Sequence, residues 1–238
     1  MKFFSVDSPL YRFLSRLLDI LKLNFLWILG SIPIFTIGVS TTAAMSVALK
    51  LADDEEGYIA KSYFEAYKAN FKQGVPMGLI FLIAWYAVYL DFQLFNNVKD
   101  SNIMFLIVFI LGLILLFTHY VYAYALMGRY ENTVINTLRN SFTISLRYFK
   151  KTILIFLVVA FEILLFVWSG TTEFIGLIIG PVCIMFTISG MAKPIFLRIE
   201  KDNSGSDDEE EETEEEVDVS EYETIDYEKL AKKAKKNE

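Results

Sequence analysis

Ile103-Met-Phe-Leu-Ile-Val-Phe-Ile-Leu-Gly-Leu-Ile-Leu-Leu-Phe-Thr-His-Tyr-Val-Tyr-Ala-Tyr-Ala-Leu-Met127 runs for 25 residues without an Asp, Glu, Lys or Arg. Wound as an α-helix at about 1.5 Å per residue, it outreaches the roughly 30 Å hydrocarbon layer of a bilayer. Similar blocks lie on either side, at residues 23–47, 75–94, 152–168 and 174–192. With 54% hydrophobic residues held in such blocks, too few polar side chains remain to clothe a soluble helical protein. The expected fold is therefore all-α: a polytopic membrane helical bundle of about five transmembrane helices. Short links at 95–102 and 169–173 make the helices they join antiparallel neighbours.

Outward from these blocks the chain changes character twice. Residues 9–21 place Leu10, Phe13, Leu14, Leu17, Leu18 and Leu21 on one helical stripe, with Arg12, Arg16 and Asp19 off it. That pattern predicts an N-terminal helix lying in the membrane interface, capped by Asp7 or Ser8 with Pro9 at its first position. At the other end, residues 202–238 carry 16 Asp+Glu against 5 Lys, whereas residues 1–201 carry 17 Lys+Arg against 13 Asp+Glu. The formal net charge of −7 thus hides a mildly basic membrane part, 1–201, and an acidic tail. Residues 202–218 are a run of carboxylates that cannot bury a core, so a largely disordered tail is expected. Residues 220–236 regain apolar character and end in a Lys-rich stretch, consistent with a weak helix.

Orientation is read from Lys and Arg between the blocks. The segments at 48–74, 128–151 and 193–201 hold 12 basic residues; the opposite side holds Lys2, Arg12, Arg16, Lys22 and Lys99. Both basic loops and the C-terminus are expected on the cytoplasmic side. The four N-terminal basic residues leave two arrangements open. Either 23–47 crosses, or it breaks at Gly30, Pro33 and Gly38 and re-enters, returning the N-terminus to the cytoplasm. The basic loops also echo one another: Lys61-x-x-Phe64 and Phe71-Lys72 return 78 residues later as Arg139-x-x-Phe142 and Phe149-Lys150. This points to two related units of span, basic helix and span.

Chemistry has few footholds. A single cysteine (Cys183) and a single histidine (His119) exclude an intrachain disulfide and a zinc site of the usual Cys/His kind. Asp7, Arg12, Arg16 and Asp19 interrupt any cleavable signal core. No phosphate-binding glycine loop or nucleophile–base pattern occurs, so neither an enzyme, nor a cofactor, nor a nucleic-acid partner is expected. The stronger signal is an ionisable group at membrane depth. Glu162 and His119 both fall inside apolar blocks, and they form a candidate intramembrane polar site if their helices pack together. Thr36, Ser40 and Thr41, beyond the glycine and proline of the first block, are candidates to line a broken helix. For each, helix packing is the competing reading.

The run Asn24-Phe-Leu-Trp-Ile-Leu-Gly-Ser-Ile-Pro33, with Thr36-Ile-Gly38-x-Ser40-Thr-Thr-Ala43, Glu55-Glu-Gly57-Tyr and Phe71-Lys72-Gln73, resembles the YesL-like family of bacterial integral membrane proteins. The likeness is densest over residues 10–80 and extends by hydropathy to about 200. It implies a multi-pass protein of the bacterial cell membrane. It also implies a role beside carbohydrate uptake systems of the ATP-binding-cassette type, as an accessory that contacts transporter subunits or a membrane sensor. It supplies no catalytic residues. The alternative is a self-contained small transporter or channel built around Glu162 and His119.

Overall fold

The computed structural model describes residues 8–53, 58–97 and 103–222, with side chains omitted at Pro9 and over 203–222. Asp7, the Glu55-Glu56-Gly57 motif, the turn at 98–102 and the Lys-rich end of the tail lie outside the described residues. Eight α-helices are described: α1 Pro9–Gly30, α2 Ile37–Ala52, α3 Ile59–Ala69, α4 Phe71–Asn97, α5 Ile103–Arg129, α6 Val134–Arg147, α7 Phe149–Phe166 and α8 Gly170–Tyr222. No strand occurs among the described residues. The chain is an all-α membrane bundle.

The first apolar block is broken. α1 runs without a stop from the interfacial stripe to Gly30, because nothing in Leu21-Lys-Leu-Asn-Phe-Leu-Trp27 opposes a helix. Ser8 caps it, its Oγ accepting from the Tyr11 N–H at 3.2 Å. Pro33 then forbids continuation, as its ring disfavours helical backbone at the residue before it. After a single 3-10 turn, Ile34–Thr36, the chain re-forms as α2. α2 folds back on α1: Ser40 Oγ donates to the Trp27 carbonyl at 2.7 Å, and Trp27 Nε1 donates to Thr41 Oγ1 at 3.2 Å. The expected span at 23–47 is thus divided between two helices of a hairpin.

Among the described residues four stretches are long and apolar enough to cross: Ile34–Ala52, Phe71–Asn97, Ile103–Arg129 and Gly170–Asp202. The expected fourth block, α7, is not among them, since Lys150, Lys151 and Glu162 add three charged groups to its 18 residues. α7 opens on Phe149-Lys150-Lys151 and ends at Phe166, leaving 15 residues from Thr152 onward, or about 22 Å of helix. The chain then turns, and α8 starts under a Ser169 cap, with the Thr172 N–H donating to Ser169 Oγ at 3.3 Å.

α2 is the most enclosed helix: every residue from Gly38 to Leu49 is buried. Its side chains are small, which lets neighbouring backbones come close where lipid offers no hydrophobic drive. Gly38 meets Gly74 and Gly78 of α4, and a Cβ built at Gly78 would lie 2.8 Å from Gly38 Cα. Gly128 of α5 approaches Ser46 in the same way.

The sequence echo has a structural counterpart. α2–α3–α4 and α5–α6–α7 follow one order, and each amphipathic helix passes into the next helix through one residue, Asn70 or Tyr148, 78 positions apart. Tyr63 of α3 hydrogen-bonds Ser40 of α2 at 2.8 Å; its counterpart Ser141 of α6 hydrogen-bonds His119 of α5 at 2.7 Å. Gly38 meets Gly78 in the first unit, and Phe117 meets Phe156 edge-on at 5.0 Å in the second.

By backbone contacts the chain divides into Met1–Lys193 and Pro194–Glu238. In the second unit, helix continues through the acidic run to Tyr222, where no regular structure was expected. Two factors favour this over coil. Glu is a good helix former, and a helix that is already nucleated needs only propagation, whereas like charges at i,i+4 oppose it by a few tenths of a kcal/mol per pair.

Candidate functional site

The break between α1 and α2 frees backbone carbonyls at membrane depth, where each must find a partner. Two of the three hydroxyl residues expected to line it, Thr36 and Ser40, donate to such carbonyls. Thr36 Oγ1 donates to the carbonyls of Gly30 at 2.8 Å and Pro33 at 2.7 Å. Ser40 Oγ directs its one proton at the Trp27 carbonyl, so the Tyr63 hydroxyl donates to Ser40. Thr41 accepts from the Trp27 indole. Tyr67 adds a 3.3 Å bond to the Gly30 carbonyl. Thr36, Ser40 and Thr41 are all at most 3% exposed. They close the break rather than line an opening. Burial pushes the Tyr63 phenol up to about 12, with the Ser40 bond pulling the other way. It therefore stays a neutral donor at physiological pH.

His119 and Glu162 bond in different places. His119 Nδ1 meets Ser141 Oγ at 2.7 Å, and the imidazole stacks on Phe142. Ser141 sends its own proton to the Leu138 carbonyl, so Nδ1–H is the donor. Glu162 bonds across to α8: Thr187 Oγ1 donates to Oε1 at 2.5 Å. The expected single polar site is therefore two interhelical contacts, α5 to α6 and α7 to α8. Glu162 retains one unusual feature. Its Oε2 is buried without a hydrogen-bond partner. Among the described residues no group of three His, Cys, Asp or Glu could hold a metal ion.

Two features escaped the sequence reading. The first is Asn24, 1% exposed. Pro181 in α8 has no N–H, so the Leu177 carbonyl loses its ladder bond. The Asn24 amide fills in: Nδ2 lies 2.6 Å from the Ile178 carbonyl and 3.5 Å from that of Leu177, and Oδ1 accepts from the Val182 N–H at 3.3 Å. An Asn in an apolar run, with a Pro in another, was the available signal, but nothing in sequence pairs them. The second is an open groove of about 390 Å³ between α1 and α3, lined by Lys22, Phe25, Leu26, Tyr58 and Ile59, with Asp19 at its rim.

Residues 20–92 match one family model. Its description is "Protein of unknown function, DUF624". No curated protein and no solved structure matches the chain. The DUF624 match runs from the second half of α1 to late α4, so it takes in Asn24, the break, the Ser40–Tyr63 contact and the Gly38–Gly78 crossing. It stops before His119 and Glu162.

Proposed function

We propose that this chain is a non-enzymatic membrane protein of the YesL-like kind, serving a carbohydrate uptake system of the ATP-binding-cassette type as an accessory to its transporter subunits or sensor. The observation that carries the reading is the closure of the broken helix. A transporter of the broken-helix design keeps freed backbone and hydroxyls for its solute, whereas Thr36, Ser40 and Thr41 are committed to groups of the protein itself. The resemblance of its motifs to the YesL-like family supplies the carbohydrate context. The test is purification of the full chain from its native membrane in mild detergent. Stoichiometric recovery of transporter subunits is the expected result. A lone homo-oligomer that moves solute in liposomes would end the proposal.

The second reading, a small transporter, has one observation in its favour: the unpartnered Oε2 of Glu162. Glu162→Gln separates the two. Its amide oxygen still accepts from Thr187, and interhelical hydrogen bonds in membranes average about 0.6 kcal/mol, so the melting temperature should barely move. On the accessory reading, association with the partner is also unchanged. Loss of liposome uptake with unchanged melting would favour the transporter.

The same reading places the multi-pass chain in the bacterial cell membrane with α3, α6 and the C-terminus on the cytoplasmic side. Cysteines at Glu65 and Asn136 should resist an impermeant thiol reagent in intact cells and react after lysis. Labelling of either in intact cells would reverse the topology.

A further inference from the structure

α3 and α6 are the two shortest α-helices among the described residues, and each leads into an apolar helix through a single residue. Their inner faces are occupied. Ile59 and Tyr63 of α3 are buried, as are Thr137, Ser141, Ile144 and Ser145 of α6. Their outer faces repeat one arrangement. Lys61, one turn before Phe64, matches Arg139, one turn before Phe142, and all four are exposed; Phe64 is 52% and Phe142 42% open. At the foot of the following helix, Phe71-Lys72 matches Phe149-Lys150, again all exposed.

We infer that α3 and α6 are a duplicated pair of docking faces for anionic phospholipid headgroups, each joining a phenylalanine at the acyl boundary to basic side chains one turn away. Three observations carry this. Within α3 and α6 the charge is of one sign but for Glu65, whose 4.0 Å contact with Lys61 is weak because both side chains are exposed. An apolar ring within one turn of a cation is the pairing that favours the headgroup level over open water. The one-residue joints hold both faces at the depth where α4 and α7 leave water. A neutral leaflet offers the rings a seat but the cations no partner, so the docking depends on anionic lipid.

The test uses the full chain with Cys183→Ser. Single nitroxide-labelled cysteines replace Ser62 or Asn140, again 78 apart, beside Lys61 and Arg139. Collision with a water-soluble nickel chelate, present on both sides of the bilayer, is read in phosphatidylcholine and in phosphatidylcholine–phosphatidylglycerol vesicles. Nickel accessibility should fall several-fold at both labels when phosphatidylglycerol is present. Lys61→Gln and Arg139→Gln should each weaken the protection at their own label, by about fivefold per charge. These side chains are exposed, so folding should persist. Should either variant fail to fold, salt does the same job on the unmutated labelled chain, since at about 1 M the screening length falls to roughly 3 Å and the attraction is removed. Equal accessibility in the two lipids overturns the inference. So does protection at one label only. So does protection that appears in native membranes but not in pure lipid, which would assign the faces to a protein.

Discussion

Gly38→Val should abolish the folded membrane domain. At the crossing of α2 and α4 a new Cβ meets the backbone of Gly74 and Gly78 rather than a side chain that can swing aside, and a Cβ built at Gly74 lies 2.7 Å from Val39 Cα. Relief requires the two helices to separate, and α2 is enclosed on all sides. Overpacking a core commonly costs about 1–3 kcal/mol and more where nothing can yield. Since a whole domain holds roughly 5–15 kcal/mol, a loss above about 3 kcal/mol should leave little folded protein. The measurement is the monodisperse fraction in size-exclusion chromatography after detergent extraction. Gly170→Val is the control, since nothing lies within 4 Å of a Cβ there. A monodisperse Gly38→Val protein with parental melting would show that the helices do not cross at these glycines.

Asn24→Leu should produce the second largest loss. Leucine is nearly isosteric and suits a membrane interior, so a simple polarity argument predicts stabilisation. The bonds to Ile178, Leu177 and Val182 predict the reverse. Without the amide, the carbonyl left by Pro181 has no partner in a medium that supplies none, and an unsatisfied buried group costs about 1–3 kcal/mol. Asn24→Gln keeps the amide but moves it by one methylene, and should recover part of the loss. A thermal melt that ranks the parent above Gln and Gln above Leu supports the account; Leu at or above the parent would refute it.

The helical membrane bundle was legible because period and block length are local properties: no contact need be known to see that 103–127 crosses a bilayer. The break was legible as one of two arrangements, through Gly30 and Pro33. The exact spans were less so. Block 23–47 reads as one apolar run because hydropathy averages over a proline, and block 152–168 reads as a span until Lys150 and Lys151 are seen to take up the first turn of the same helix. The candidate site was legible by residue and not by pairing. Glu162 and His119 stand out as ionisable groups among apolar ones, yet Thr187 and Ser141, their partners, are ordinary hydroxyls in helices that only the fold brings near. Asn24 and Pro181 show the same limit. Each is a local oddity whose meaning is the other, 157 positions away.

The joints at Asn70 and Tyr148 have a mechanical consequence. A connecting loop of several residues absorbs motion, because its many torsions relax independently. One residue has two soft torsions, φ and ψ, and these hold each elbow at values of −93° and 6° in Asn70 and −112° and 36° in Tyr148. With so little slack, α3 and α4 behave as the arms of a bent lever, and so do α6 and α7. A sideways push on either amphipathic arm should therefore reach the apolar arm as tilt.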